Sequence, residues 1–174
     1  MSHVVRIYLL ASSCLMAIGA LLHLAAVAIG ANAYAWLGAP AGLVAMVGTG
    51  SLRPAVSCFV IAGVLLLGSA YGFSGVGLGP QLPARRLVLS LIAIGLIARG
   101  ILLPVAAAWQ PHLLSGICGR CQAVNGFVLL TSALCIIVGA AYAVGAFRPA
   151  SNNSFKPNPL RSFKTPSGSS GGSA

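Results

Sequence analysis

Apolar residues in this chain gather in long unbroken runs, and the polar residues collect between them. Four runs stand out, at 7–31, 52–73, 87–109 and 123–147. A helix rises about 1.5 Å per residue, so roughly 20 residues cross a hydrocarbon layer about 30 Å thick. Each run is long enough. A transmembrane barrel instead needs strands of about 10 residues with alternating polarity, and these runs, rich in Leu, Ala and Gly, do not alternate. The pattern predicts an all-α fold: an integral membrane four-helix bundle over 1–148, with no second soluble domain. The first run is expected to stay as a span, because it exceeds the apolar core of a secretory signal, about 15 residues at most.

The residues between the runs predict finer detail. Beyond the first span, Tyr34 and Trp36 read as an interfacial aromatic belt. The connection 32–51 is long and weakly polar. Its stretch 41–47 is too short to span and is set off by Pro40, Gly48 and Gly50, so it should lie along the interface or cap the bundle. Arg53 and Pro54 open the second span, Gly63 and Gly68 offer close-packing positions, and Tyr71 closes it. Gly72, Gly75, Gly77, Gly79, Pro80 and Pro83 then read as a rigid, turn-rich loop. In the third span Gly100 and Pro104 predict a bend, since proline removes a backbone hydrogen bond. The fourth is dense in small residues towards its end, with Gly139, Ala140, Ala141, Ala143 and Gly145.

Composition sharpens the class. Charged residues make up 6% of the chain, with no Asp or Glu and a net charge of +10. Soluble domains commonly carry about 25% charged residues. Nucleic acid is not the expected partner, because the basic residues sit mainly at span borders and in the tail rather than on one reading face. Membrane lipids account for them better. Arg6, Arg85, Arg86, Arg148, Lys156, Arg161 and Lys164 lie on the side of the termini, against Arg53 and Arg120 on the other. By the positive-inside rule both termini should be cytoplasmic, in a cell inner membrane. The segment 149–174, rich in Pro, Ser, Asn and Gly, should form a disordered basic cytoplasmic tail.

Few residues offer chemistry. Arg99 lies about 20 Å along the third span and about 15 Å before Trp109. A buried guanidinium needs an acceptor, and no carboxylate side chain exists here. The choices are backbone carbonyls such as those freed at Pro104, amides and hydroxyls, a lipid phosphate, a ligand, or an acid on another subunit. His23, about 12 Å before the end of the first span, falls at nearly the same depth. Asn125 enters the same half from the fourth span, with Ser132 two turns further on. Together His23, Arg99 and Asn125 could form a ligand- or partner-binding pocket suited to a quinone headgroup or a small anion; each could equally satisfy a local backbone group. Cys118-Gly119-Arg120-Cys121 comes immediately before the fourth span. An oxidising compartment would allow a disulfide, while a helix start and Arg120 would favour a thiolate. Cys118 and Cys121 are therefore the candidate catalytic pair if the chain is a redox enzyme. Cys14, Cys58 and Cys135 read as small apolar fillers. Cys118, Cys121, His112 and Met46 match no defined metal motif, and no metal is expected.

On the placement of Cys118 and Cys121 before a fourth helix, the chain resembles the vitamin K epoxide reductase family of quinone-linked thiol oxidoreductases. That resemblance implies electron exchange between the pair and a bound quinone. The loop 32–51 matches the family's long first loop in position but lacks the shuttle cysteines that belong there. Gly50-Ser51-Leu52-Arg53-Pro54, Tyr71-Gly72-Phe73-Ser74-Gly75, Leu82-Pro83 and Arg99-Gly100 resemble a group of small bacterial inner-membrane proteins of unassigned function, which implies four helices and no particular activity.

The sequence favours an accessory or stabilising subunit of a larger membrane assembly, without catalysis of its own and in contact with other membrane subunits or with itself. The alternatives are a quinone-linked thiol–disulfide oxidoreductase and a small-molecule or anion carrier.

Overall fold

The computed structural model describes residues 3–80, 82–114 and 116–147. The expectations for Arg148 and the tail 149–174 lie outside the described residues. Seven helices follow in order: α1 His3–Ile29, α2 Ala31–Trp36, α3 Ala41–Ala45, α4 Arg53–Val76, α5 Arg85–Trp109, α6 Pro111–Leu114 and α7 Gly126–Phe147. There is no strand among the described residues. Four of the helices, α1, α4, α5 and α7, are long and apolar enough to cross a membrane. The fold is an all-α four-helix bundle of a multi-pass membrane protein.

Glycine conformation sets two helix ends. Gly30 adopts φ 93°, which stops α1 at Ile29 and turns the chain into α2. Gly77 adopts φ 80° and closes α4 through its amide to the Ser74 carbonyl (3.2 Å) and the Leu78 amide to the Phe73 carbonyl (3.0 Å), the usual left-handed helix stop. The expected loop beginning at Gly72 is therefore corrected. Gly72 and Gly75 are helical, because a glycine that lets two helices touch is retained inside a lipid-embedded helix. At the other end of the chain, α7 starts at Gly126 rather than 123. α5 runs through Pro104 without interruption.

The helices form two antiparallel hairpins, α1 with α4 and α5 with α7, that lean on each other more lightly. Between α1 and α4, added β-carbons at Gly68 and Gly75 would stand 2.6 Å from Met16 Cε and 3.0 Å from Leu9 Cδ2, and one at Gly72 would overlap Ser13 Oγ. Between α5 and α7, Gly100 faces Ile136 and Ser132 while Gly139 faces Ile97 and Ala93. Gly63, expected to be a packing position, has no atom within 4 Å of where its β-carbon would be. Its helix turns that position away from α1.

Buried hydroxyls bond from α4 to α1, within α1, and from α7 of one hairpin to α4 of the other. Ser69 Oγ donates to the Ser13 carbonyl (2.9 Å), Ser13 Oγ to the Leu9 carbonyl (2.7 Å) and Tyr142 Oη to the Gly68 carbonyl (3.0 Å). At the end of the bundle where α1 begins and α7 finishes, one core is shared by all four long helices through Leu9, Met16, Val76, Leu89, Val138 and Tyr142. Towards the opposite end the packing divides. Ala26, Tyr34 and Cys58 serve α1 and α4, whereas Leu103, Ala107, Leu114, Cys118, Cys121 and Val128 serve α5 and α7. Tyr34 is 3% exposed, so it belongs to this core and not to an outer aromatic belt. Trp36 and Trp109 are exposed.

Candidate functional site

The chemistry-bearing residues fall at two places: the loop end of the bundle, and the outer face of α5. At the loop end Cys118 and Cys121 are joined as a disulfide, with α-carbons 5.3 Å apart. Their turn docks against the connection between α2 and α3. Gly119 donates its amide to the Gly38 carbonyl (3.0 Å), and a β-carbon on Gly119 would stand 2.6 Å from the Ala39 carbonyl oxygen. Gly38 itself holds φ 85° with the Phe127 ring against it. Arg120 donates to the Trp36 carbonyl (3.3 Å) and lies over the Phe127 ring, 5.0 Å from its centroid.

This geometry changes the chemistry expected of the pair. Cys118 is 8% exposed and Cys121 is 0% exposed. Thiol–disulfide exchange requires a thiolate to reach a sulfur atom, and here both cysteines are buried in the core of α5 and α7, with Gly38 against the Cys118 sulfur. The helix-start effect on a thiolate does not apply either, since α7 begins only at Gly126. The disulfide closes the turn, and the turn's hydrogen bonds to Gly38 and Trp36 link the two hairpins where their cores separate.

Asn125 caps α7. Its Oδ1 accepts from the Val128 amide (3.0 Å) and its Nδ2 donates to the Arg120 carbonyl (2.8 Å), which satisfies one of the free amides at a helix start. His23 is half-buried, with Nδ1 2.8 Å from the Gly19 carbonyl oxygen one turn earlier. Arg99 is exposed on α5. Among the described residues it donates no hydrogen bond, neither to the Gly100 carbonyl that Pro104 leaves free nor to any other acceptor. The three residues do not converge: α1 and α5 stand diagonally opposed with no close backbone approach, and Asn125 is engaged at the loop end. Depth separates them too. Gly139 and Ile136 of α7 pack against Ile97 and Gly100, which puts Arg99 level with the middle of α7.

Several polar positions carry structure that sequence reading did not single out. Ser13, Ser69 and Tyr142 lie within apolar runs, and the only signal for them was small-residue spacing at Gly68 and Gly72. Ser132 is buried, and its hydroxyl has no partner among the described residues. In α2, burial and the neighbouring Cys58 thiol push the pKa of the Tyr34 hydroxyl up to about 12. No group of three or more metal-ligating side chains occurs among the described residues. An apolar groove of about 300 Å³ between α1 and α7 is lined by Val5, Tyr8, Ile137, Ala140, Ala141 and Val144, and offers a place for lipid chains rather than for polar chemistry.

No family model, curated protein or solved structure matches the chain. Function therefore has to be read from the residues themselves, and Arg99 is the residue whose chemistry the fold leaves incomplete. On insertion scales, arginine at the centre of a span costs about 2.5–3.5 kcal/mol.

Proposed function

We propose that the chain is an accessory or stabilising subunit of a larger assembly in the cell inner membrane, without catalysis of its own and with both termini cytoplasmic. One observation carries this: Arg99 faces outward midway along α5, with no partner among the described residues, in a chain with no carboxylate side chain to offer it. A neighbouring subunit is the source of an acceptor that the fold lacks. The orientation follows from basic residues at the helix ends, Arg6, Arg85 and Arg86 on the side of the termini against Arg53 and Arg120 on the other.

The buried Cys118–Cys121 staple fits a structural part. A quinone-linked thiol oxidoreductase has in its favour that this pair is already closed as a disulfide, but the pair would have to lift away from Gly38 and Ala39 to react. Alkylation of Cys118 and Cys121 before and after quinone addition distinguishes the two; unchanged labelling removes the enzyme. The accessory role is tested by extraction in several mild detergents followed by native mass measurement. A stable complex heavier than the chain and its lipids is expected, and a lone monomer under all conditions rejects the proposal.

A further inference from the structure

We infer that the outer face of α5 around Gly95 and Arg99 is the docking surface for a transmembrane helix of a different protein, one carrying an Asp or Glu near its own midpoint. This deepens the accessory-subunit proposal and rests on it for the existence of a partner; the chemistry of the surface stands on the observations below.

α5 runs 25 residues, from the basic pair Arg85 and Arg86 to the exposed Trp109, and these flanks fix its depth. Arg99 comes about 21 Å after Arg85 and about 15 Å before Trp109, which leaves it about 12 Å inside the nearer hydrocarbon boundary. Snorkelling is a device of helix ends, and Arg99 is far from both. The residue continues a row of α5. Ile92, two turns earlier, meets α4 at the position of Gly68, with Cδ1 3.7 Å from where a β-carbon would be. Past Leu96, which still packs on the shared core, the two hairpins have separate cores, so Arg99 looks out at the edge where α4 and α5 part.

One turn before Arg99 is Gly95, exposed, with no atom within 4 Å of its missing β-carbon. Gly68, Gly100 and Gly139 are glycines that a neighbouring helix uses. Gly95 is a glycine of the same kind with no helix yet against it. It would let a second backbone approach closely enough for its carboxylate to reach the guanidinium. Leu91 and Leu102 flank the pair and are exposed at 60% and 63%, forming an apolar rim. A second copy of this chain is excluded as the charge partner, because the sequence contains no Asp or Glu. The guanidinium's fork of donors suits a carboxylate.

The test uses the full chain in zwitterionic bilayers with labelled Leu/Ala host helices that carry Glu, Gln or Leu at their centre. Association is read by energy transfer. The Glu host is expected to bind at least about tenfold more tightly than the Gln host, a difference of about 1.4 kcal/mol. Arg99→Leu should erase that preference, and Gly95→Leu should weaken every host. Equal binding of the Glu and Gln hosts overturns the inference. So does a preference that survives Arg99→Leu, or one that vanishes when anionic lipid is added, which would assign Arg99 to lipid phosphate. A native complex that persists in Arg99→Leu beside equal host binding would retain the accessory role and reject this surface. Host discrimination by a chain that is always monomeric in native extracts would do the reverse.

Discussion

Replacing Gly72 with alanine puts the tightest contact between α1 and α4 to a direct test. The new β-carbon would overlap Ser13 Oγ and stand 2.8 Å from Tyr142 Oη and 3.1 Å from Ser13 Cβ. The nearest atoms all belong to the Ser13 and Tyr142 side chains, so relief has to come from rotating Ser13 and displacing the Tyr142 hydroxyl, or from parting the helices. Overpacking of this kind costs about 1–3 kcal/mol. Rotation also endangers the Ser13–Leu9 hydrogen bond within α1 and the Tyr142–Gly68 bond between helices, the latter of a kind worth about 0.6 kcal/mol on average. Alanine's better helix propensity returns up to about 1 kcal/mol. The net expectation is a loss of about 1–3 kcal/mol. Gly63→Ala is the control, since its β-carbon enters open space, and it should be neutral or slightly stabilising. The assay is reversible unfolding in mixed micelles followed by circular dichroism. Adding Ser13→Ala to Gly72→Ala should recover about 1 kcal/mol relative to additivity. If Gly72→Ala is as stable as Gly63→Ala, the close packing of α1 on α4 described here is wrong.

Ser132→Ala should leave stability unchanged or raise it by up to about 1 kcal/mol, because it deletes a buried hydroxyl that has no partner; a clear loss in the same unfolding assay would show that the hydroxyl is bonded. Replacing both Cys118 and Cys121 with serine should loosen the contact of 116–121 with Gly38 and Ala39 while the long helices stay protected, as hydrogen exchange can measure; uniform loss of protection across α5 and α7 would contradict a local staple. Tyr34 gives a pH dependence. Its folded value is raised from 10.0 to about 12, so the folded state keeps a proton that the unfolded state releases. Its contribution is complete below pH 10.0 and is lost as pH rises towards about 12. Stability scans should show this decline in the native chain and not in Tyr34→Phe.

Much of the bundle was legible in the sequence. Hydrocarbon imposes a one-dimensional requirement, a sufficient length of apolar helix, and the four runs met it at 7–31, 52–73, 87–109 and 123–147 within a few residues of α1, α4, α5 and α7. Arg99 was conspicuous for the same reason, as a charge inside such a run. What each residue faces was not legible. In a run that is apolar all round, polarity does not mark the inner side, so Gly63 and Gly68 looked alike until α1 was placed beside one and not the other. Tyr34 looked interfacial until α2 folded it onto Cys58, and the burial of Cys118 and Cys121 was invisible until their turn docked on Gly38 and Ala39. The sequence alone determined that this chain crosses a membrane, because lipid responds to length and hydropathy. Only the tertiary structure decided that Arg99 points outward, because direction around a helix is set by its neighbours.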